Sequence, residues 1–549
     1  MNAELLLQHF DRISEAPDAI PRLRRFILDL AVRGKLVEQD PNDEPAEELL
    51  KRIQAEKARL IKLGDIKKEK SLTPILSDES PFEIPSSWKW VRIRHITSDR
   101  GQTIPKNDFT YIDVTAINKE AGCVADAKVI AATDAPSRAR KLVHTGDVIY
   151  SCVRPYLLNI AIIENEIKPT PIVSTAFTVL NGFQLISSKY LWIILRSPFM
   201  VECVEAKMRG QAYPAINDTD FALLPCPLPP QAEQHRIATK VDELMTLCDQ
   251  LEAAKNKRET RRDRLVKASL QRICVSEPEK TREAVRFHLD NLPRLSTRPE
   301  HIKQLRQTIL DLAVRGRLVP QDPNDEPAAT LPKRSGAIPT NNIAPFQIPD
   351  SWQWTTVEQT GENRLGKMLD KAKNKGSPRR YLRNINVRWF DFNLSDLYEM
   401  PFEDEELDQF ALRHGDVLIC EGGEPGRAAV WDERESSIYF QKAIHRVRFS
   451  GNVNPEFFVN VLRESSDSGR LSSYFTGVGI KHFTGKGLAS FVFPLPPITE
   501  QQRIVAKVDE LMTLCDQLDA RLTTTESDSR RLLAAALHEA LSPTMRLAA

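Results

Sequence analysis

No CxxC pair occurs in this chain, and its eight cysteines (Cys123, Cys152, Cys203, Cys226, Cys248, Cys274, Cys420 and Cys515) lie far apart. That spacing fits neither a zinc site nor a disulfide framework, so the thiols are read as reduced core residues. No apolar run approaches the roughly 18 residues of a membrane span, and the polar N-terminus lacks a signal-peptide core. A cytoplasmic protein with no membrane association is expected. An excess of one charge is missing too: 76 Lys and Arg against 75 Asp and Glu leave a formal net charge of +1. This excludes a chain coated in basic surface and leaves room for local basic patches facing nucleic acid. Catalytic signatures are absent as well. There is no GxxxxGK, HExxH or GxSxG, and no glycine-rich loop after a strand to hold a dinucleotide or methyl donor.

What is present is a duplication. Residues 227–251, PLPPQAEQHRIATKVDELMTLCDQL, return as residues 494–518, PLPPITEQQRIVAKVDELMTLCDQL. RFILDLAVRGKLVEQDPNDEP at 25–45 matches QTILDLAVRGRLVPQDPNDEP at 307–327, and FEIPSSWKW at 82–90 matches FQIPDSWQW at 346–354. Gly146-Asp147-Val148 likewise matches Gly415-Asp416-Val417. All are offset by about 270 residues in the same order, so the chain is two copies of one unit. Between the Trp90 and Pro227 marks, and again between Trp354 and Pro494, the copies read quite differently. The frame is repeated and its inserts have diverged.

Residues 1–70 read as helical, with apolar faces at Leu5, Leu6, Phe10 and Ile13 and at Leu23, Phe26, Ile27, Leu30 and Ala31. Gly34 suits a C-cap, and Asp40 or Asp43 is available to cap the helix that starts near Pro45. From about 88 the pattern changes to short β-branched runs at 91–96, 111–116, 147–153, 160–163 and 172–179, with a helix near 188–207. The second insert repeats that scheme, with strands near 416–420, 428–431 and 443–449 and a helix near 455–463. PLPP then stops the strand and opens a helix, with Glu233 or Glu500 in its first turn, where negative charge suits the dipole. Ile237, Val241, Leu244, Cys248 and Leu251 are spaced 4-3-4-3, as are Ile504, Val508, Leu511, Cys515 and Leu518. This is the spacing of a coiled-coil seam. Helices of about 40 residues at 1.5 Å each reach roughly 60 Å, and paired antiparallel they form a rigid spacer.

No catalytic constellation emerges. His144 and His414 precede the GDV strands as loop histidines, and Asp147 and Asp416, even with Glu421 and Glu424, fit turns entering strands better than a nuclease cluster. The strongest charge signal is residues 364–388, where Arg364, Lys367, Lys371, Lys373, Lys375, Arg379, Arg380, Arg383 and Arg388 face the single acid Asp370. With Gly376, Pro378 and Tyr381 this suits a loop against a phosphate backbone, although a solvated linker has the same composition. Lys442 and Lys481 join it as candidates. In the first insert the candidates are Arg94, Arg100, Lys106, Arg138, Arg140, Lys141, Arg154 with Tyr156, and Lys207 and Arg209 with Gln211 and Tyr213. Arg, Gln and Tyr on loops suit base edges.

The order of helical block, insert and PLPPxxEQxRI helix, twice over, resembles the specificity subunit of Type I restriction-modification systems across nearly the whole chain. The marks are ILDLAVRGKLV and DPNDEP at 27–37 and 40–45, both PLPP helices, GDVIYSCVRPYLLN at 146–159 and GDVLICEGGEPGRAAVW at 415–431. The resemblance implies an α/β (α+β) fold: two mixed target-recognition domains separated by two long antiparallel coiled-coil helices, with pseudo-twofold symmetry. Its parts would be a helical region at 1–79, domain 1 at 80–226, a repeated helical region at 227–344, domain 2 at 345–493 and a second spacer helix at 494–549. It also implies no catalysis, cofactor or metal in this chain. Each domain would read half of a split double-stranded DNA target. Two modification subunits using S-adenosylmethionine, and restriction subunits using ATP and Mg, would be the partners. The competing expectation is a two-headed protein adaptor, favoured by the near-zero net charge and opposed by the 364–388 run.

Overall fold

The computed structural model describes residues 15–66, 75, 80–275, 278–328, 344–368, 370 and 374–541. The face expected at Leu5, Leu6, Phe10 and Ile13 lies outside the described residues, as do Lys371 and Lys373. The fold is mixed α/β, with long helices at Gln231–Val275 and Ile498–Leu541. Two units divide it: Met1–Lys257 with Glu526–Ala549, and Arg258–Thr525. Each long helix therefore begins in one unit and ends in the other.

In the first unit the helix Ala19–Val32 buries Ile27, Leu28, Ala31 and Val32 along one stripe. It stops at Gly34, which takes a left-handed φ of +67°. A Cβ there would lie 2.5 Å from Pro85 and 3.3 Å from Trp88, so the same glycine lets the FEIPSSW segment close over the helix end. Gly316 repeats this against Pro349 and Trp352 in the second unit, at 2.5 and 3.0 Å. The expectation that Asp40 or Asp43 caps the next helix fails: Ala46–Leu63 has no side-chain cap. Asp40 instead accepts from Asn42 N at 2.9 Å, closing its own turn. Asp43 accepts from both terminal nitrogens of Arg236, at 3.1 and 2.6 Å, and so ties the turn to the long helix. Asp325 holds Arg503 in the same way, at 3.1 and 2.5 Å.

Six of the ten seam residues are buried, and the surface that buries them is not one the spacing names. Ile237, Val241 and Cys248, flanked by Leu244, belong to the core formed with Ile27, Leu28 and Trp88 of their own unit. Ile504, Val508 and Cys515, flanked by Leu511 and Leu518, do the same with Ile309, Leu310 and Trp352. Leu251 is 48% exposed. A 4-3 spacing specifies one apolar stripe and is satisfied by any helix packed along it.

Glu233 and Glu500 do more than face a helix dipole. Glu233 is buried, accepting from Trp88 Nε1 at 2.8 Å and from Gln39 Nε2 at 2.5 Å, while Ser87 Oγ donates to Gln39 at 3.1 Å. Trp352 and Gln321 donate to Glu500 at 2.9 and 2.5 Å, and Ser351 to Gln321 at 2.9 Å. Next in chain, Gln234 accepts from Ser187 N at 2.9 Å and donates to Pro229 O at 3.1 Å; Gln501 accepts from Asn454 N at 2.7 Å and donates to Pro496 O at 2.9 Å. Ser187 and Asn454 cap the insert helices Ser188–Arg196 and Pro455–Asp467. Each Glu-Gln pair thus locks helical block, insert and long helix together.

Each insert is closed at its base by two antiparallel strands. Lys89–Arg92 pairs with Pro225–Leu228, Trp90 opposite Pro227, and Gln353–Thr356 pairs with Val492–Leu495, Trp354 opposite Pro494. The run expected as a strand at 91–96 turns into a short helix at Ile93–Ile96. The run at 172–179 splits into Pro171–Ser174 and Phe177–Leu180, which belong to different sheets. The helix expected at 188–207 breaks at Pro198, whose missing N–H ends one helix while Ser197 caps the next. Domain 1 holds a five-stranded sheet, in the order Phe177–Leu180, Val148–Ser151, Ile160–Ile162, Cys123–Val124, Ile117–Asn118, and a separate four-stranded sheet. Domain 2 builds its four-stranded sheet from Gly361–Leu365, Ile444–Phe449, Val417–Cys420 and Ala428–Val430.

Candidate nucleic-acid interface

The GDV strand is the anchor of each insert. Asp147 is buried, accepts from His144 N at 2.9 Å and takes Arg100 Nε and Nη2 at 3.0 Å each. Asp416 accepts from Arg413 N at 2.8 Å and takes Arg448 Nε and Nη2 at 2.7 Å each. Two acceptor oxygens facing the planar fork of a guanidinium is a rigid bidentate joint. The joint also raises the Arg448 pKa, chiefly through the hydrogen bond to Asp416.

From that anchor the strand runs to a turn, residues 153–158 in domain 1, where Val153, Arg154, Tyr156 and Leu157 are exposed, and 422–427 in domain 2, where Gly423 and Glu424 are. Arg154 takes a left-handed φ of +48°, and Gly423, its counterpart, takes +80°. Against each turn lies a tight hairpin. Arg209 and Ala215 exchange backbone hydrogen bonds at 2.9 Å both ways, and so do Thr476 and His482. Gly210 and Gly477 start the two tips at φ +95° and +97°. A Cβ on Gly477 would lie 2.1 Å from Ile480 O, so the tip requires glycine there.

Domain 1 brings five predicted residues together here. Arg154 N donates to Pro214 O at 2.8 Å, and its guanidinium sits over the Tyr213 ring, 4.9 Å from the centroid. Tyr213 is 70% and Tyr156 44% exposed. Gln211 is exposed on the same tip, and Arg209, itself exposed, meets Asp220 at 3.3 Å. A cation, an amide and two phenols on paired rigid loops form a surface able to hydrogen-bond and stack.

The other candidates fall elsewhere. Lys106 and Arg138 are exposed, and Arg140 is half-buried with its guanidinium donating to Ala139 O. Lys141 is buried and paired with Asp218 at 2.7 Å; burial works against the Asp218 charge, but Lys141 and Thr178 donate to its carboxyl and keep it below the usual range. Arg100 is committed to Asp147. In domain 2, Lys367 is buried with Glu403 and Glu406 as partners. Burial would lower its pKa, yet the two carboxylates outweigh that and raise it, while Lys367 holds Glu403 down at about 2. Arg383 bonds Asp396 at 2.6 Å and stacks on Tyr398, Arg380 meets Glu435 at 3.1 Å, and Arg364 lies 3.6 Å from Glu362. Lys375, Arg388, Lys442 and Lys481 are exposed, and Arg379 is half-buried. No carboxylate pairs with these five among the described residues.

The sequence reading missed two groups. Val478 and Ile480 stand on the domain 2 tip in the places of Gln211 and Tyr213, 102% and 73% exposed. Isolated apolar residues in a loop carry no periodic signal. The second group is the pair of Glu-Gln junctions, whose only trace was their exact repetition. Among the described residues, no group of three or more His, Cys, Asp or Glu side chains is placed to hold a metal ion. Nor is any helix of the described residues long and apolar enough to cross a membrane.

The family described as Type I restriction modification DNA specificity domain matches residues 85–259 and 369–525, one stretch in each copy. The chain is 31% identical over 537 residues to the specificity subunit of the Escherichia coli Type I restriction enzyme EcoAI, covering 91% of this chain and 90% of that one. To the EcoEI specificity subunit of Escherichia coli it is 29% identical over 561 residues, covering 95% and 94%. A solved chain, described under complex assembly and conformational transition of the type I R-M system, matches with a TM-score of 0.50. It is 24% identical and covers 84% of this chain and 99% of that one, a likeness of fold. The match in both copies, and the identity across nearly the full length of the EcoAI subunit, place this chain in one family: it is a specificity subunit of the Type I restriction-modification systems, the non-catalytic members of those assemblies.

Proposed function

We propose that this subunit reads a split double-stranded DNA target, one half-site per recognition domain, with the domains bounded near residues 80–226 and 345–493. The observation that carries this is the recurrence of one rigid turn-and-hairpin pair in both inserts with unlike side chains: Arg154, Tyr156, Gln211 and Tyr213 in one, Gly423, Val478, Ile480 and Lys481 in the other. One scaffold with two chemistries suits two different half-sites. Exposed Lys106, Arg138, Lys375, Arg388 and Lys442 hold phosphates in this reading, while Arg100, Lys141 and Lys367 brace the loops from beneath. The helical regions at 1–79, 227–344 and 494–549 set the gap between half-sites.

The test is selection from a randomised DNA pool by the subunit co-expressed with its modification subunits. Two short blocks at a fixed gap are expected. A pool that stays random in the presence of the partners sinks the reading.

The same frame docks two modification subunits, with restriction subunits completing the complex in the cytoplasm. Cofactors, S-adenosylmethionine and ATP with Mg, act in those partners. What supports two equal docking sites is the identity of residues 241–251 and 508–518 even at exposed positions. Asp249 and Asp516 have an internal reason to persist, since Arg24 and Arg306 bond them at 2.5 and 2.7 Å. Leu247 and Leu514 have none, being 51% and 48% exposed. Leu247→Arg or Leu514→Arg alone is therefore expected to reduce the modification subunits per complex from two to one, and the double variant to none. Native mass spectrometry of the co-expressed complex reads this directly, and a double variant that still carries two partners refutes the assignment.

A further inference from the structure

Every side chain proposed above to read bases in domain 1 carries a hydrogen-bonding group. The tip of the domain 2 hairpin presents two aliphatic side chains, Val478 and Ile480, in their place. Residues 477–481 read Gly-Val-Gly-Ile-Lys, and Val478 and Ile480 are 102% and 73% exposed, while Phe483, two positions past the tip, is fully buried. The tip is braced by the paired Thr476 and His482 backbones and lies beside Gly422, whose Cβ position is 3.4 Å from His482 Nδ1. It is a built projection from the core. The change is also coupled: where domain 1 has Arg154 stacked on Tyr213, domain 2 has Gly423 and Ile480, so the cation and the ring it covers are replaced together.

Resting on the DNA reading above, we propose that the 477–481 tip is an apolar base reader whose Val478 and Ile480 recognise thymine C5-methyl groups in one half-site, with Lys481 on the neighbouring phosphate. An aliphatic side chain pressed on an amino or carbonyl edge strips water from it and returns no hydrogen bond. The thymine methyl is the one apolar group that a base pair presents in the major groove, so it is the edge such a tip can cover without loss. Domain 1, with Gln211 and Arg154, suits adenine and guanine edges instead. The subunit therefore reads its two half-sites by different physics, hydrogen bonding in one and methyl burial in the other.

The experiment uses the co-expressed complex and the split sequence that it selects. Thymines of each half-site are replaced in turn by deoxyuridine, which removes only the methyl. Affinity is expected to fall about fourfold for each contacted methyl, the worth of burying one such group. The loss is confined to one half-site, and it disappears in the Val478→Ser, Ile480→Ser double variant. Because both side chains project into solvent, that variant keeps the parent melting temperature. Selection with it should relax thymine in that half-site and leave the other unchanged. If wild-type complex binds deoxyuridine and thymine duplexes equally, or if neither half-site contains thymine, the methyl contact is overturned while the split-target reading stands. A variant that loses binding with no thymine dependence in the wild type assigns the tip to a wedge between base steps and also overturns it. A pool without any split motif overturns the DNA reading itself and the proposal with it.

Discussion

Replacing Asp416 with alanine is expected to unfold the second recognition domain under conditions where the first stays intact. The carboxylate is almost wholly enclosed and takes three donors, two from Arg448 and one from the Arg413 backbone. Its removal leaves a partly buried guanidinium without its counter-charge and a turn without its closure. Breaking one side of a buried pair costs about 3–5 kcal/mol; the lower end applies here, because Arg448 retains some access to water. That is a large share of the roughly 5–15 kcal/mol that holds a folded domain. Hydrogen exchange separates the outcomes: strands Val417–Cys420 and Ile444–Phe449 should lose protection while Val148–Ser151 keeps it, and Asp147→Ala should give the reverse pattern. Equal protection in variant and parent would show that the joint is dispensable. The same geometry explains why a GDV aspartate so near an exposed loop is not a candidate catalyst, since both of its oxygens already face a guanidinium.

The second large effect is expected at Glu233 and Glu500. Alanine at either position removes the acceptor for a buried tryptophan N–H and for a glutamine amide, a loss of about 1–3 kcal/mol for each donor left bare. Glutamine is expected to differ sharply from alanine. It keeps an oxygen for Trp88 or Trp352, and Gln39 can reverse its amide because the Ser87 hydroxyl both donates and accepts; Gln321 can do the same toward Ser351, giving up its 3.3 Å bond to Gly316 O. The pH dependence has a definite sign. Burial raises both carboxyls above the ordinary glutamate value of 4.5, and the Trp and Gln hydrogen bonds offset that only in part. A raised folded-state value means the folded chain holds its proton longer. The resulting stability is complete below pH 4.5 and is lost as the pH rises through the folded value. Urea midpoints taken upward from pH 4.5 should therefore fall more steeply for the parent than for Glu233→Gln, Glu500→Gln. Identical slopes would mean that the carboxyls titrate normally.

Those two sites also show where sequence reading reached its limit. The frame was legible because periodicity and repetition are local: the long helices, expected to open at the PLPP segments and run about 40 residues, span Gln231–Val275 and Ile498–Leu541. The destination of a side chain is not local. Glu233 reads as a first-turn acid until Trp88, 145 positions earlier, is placed above it. The 364–388 run reads as nine loose charges, yet Arg380 and Arg383 find their acids at Glu435 and Asp396. Counting residues measures composition, whereas phosphate binding depends on which cations remain unneutralised after folding. Leu251 fails for a related reason, since a heptad position states which face a residue occupies and not how far the neighbouring surface extends.

The strand pair at the base of each insert has a consequence for how such a molecule can vary. Trp90 lies opposite Pro227 and Trp354 opposite Pro494, so the chain leaves and rejoins the frame at points about 4.8 Å apart. To the frame, an insert is a closed loop whose ends never move. The entropy of closing a loop grows only with the logarithm of its length, about 0.6 kcal/mol for each doubling. Insertions and deletions in the insert loops, away from the helices Ser188–Arg196 and Pro455–Asp467 that pack on the frame, therefore carry almost no penalty for the rest of the subunit, whereas one residue added to the 89–92 strand would flip the alternation of its side chains. Tolerance to length change is thus concentrated in the segments that read, and intolerance in the short strands on which they are mounted.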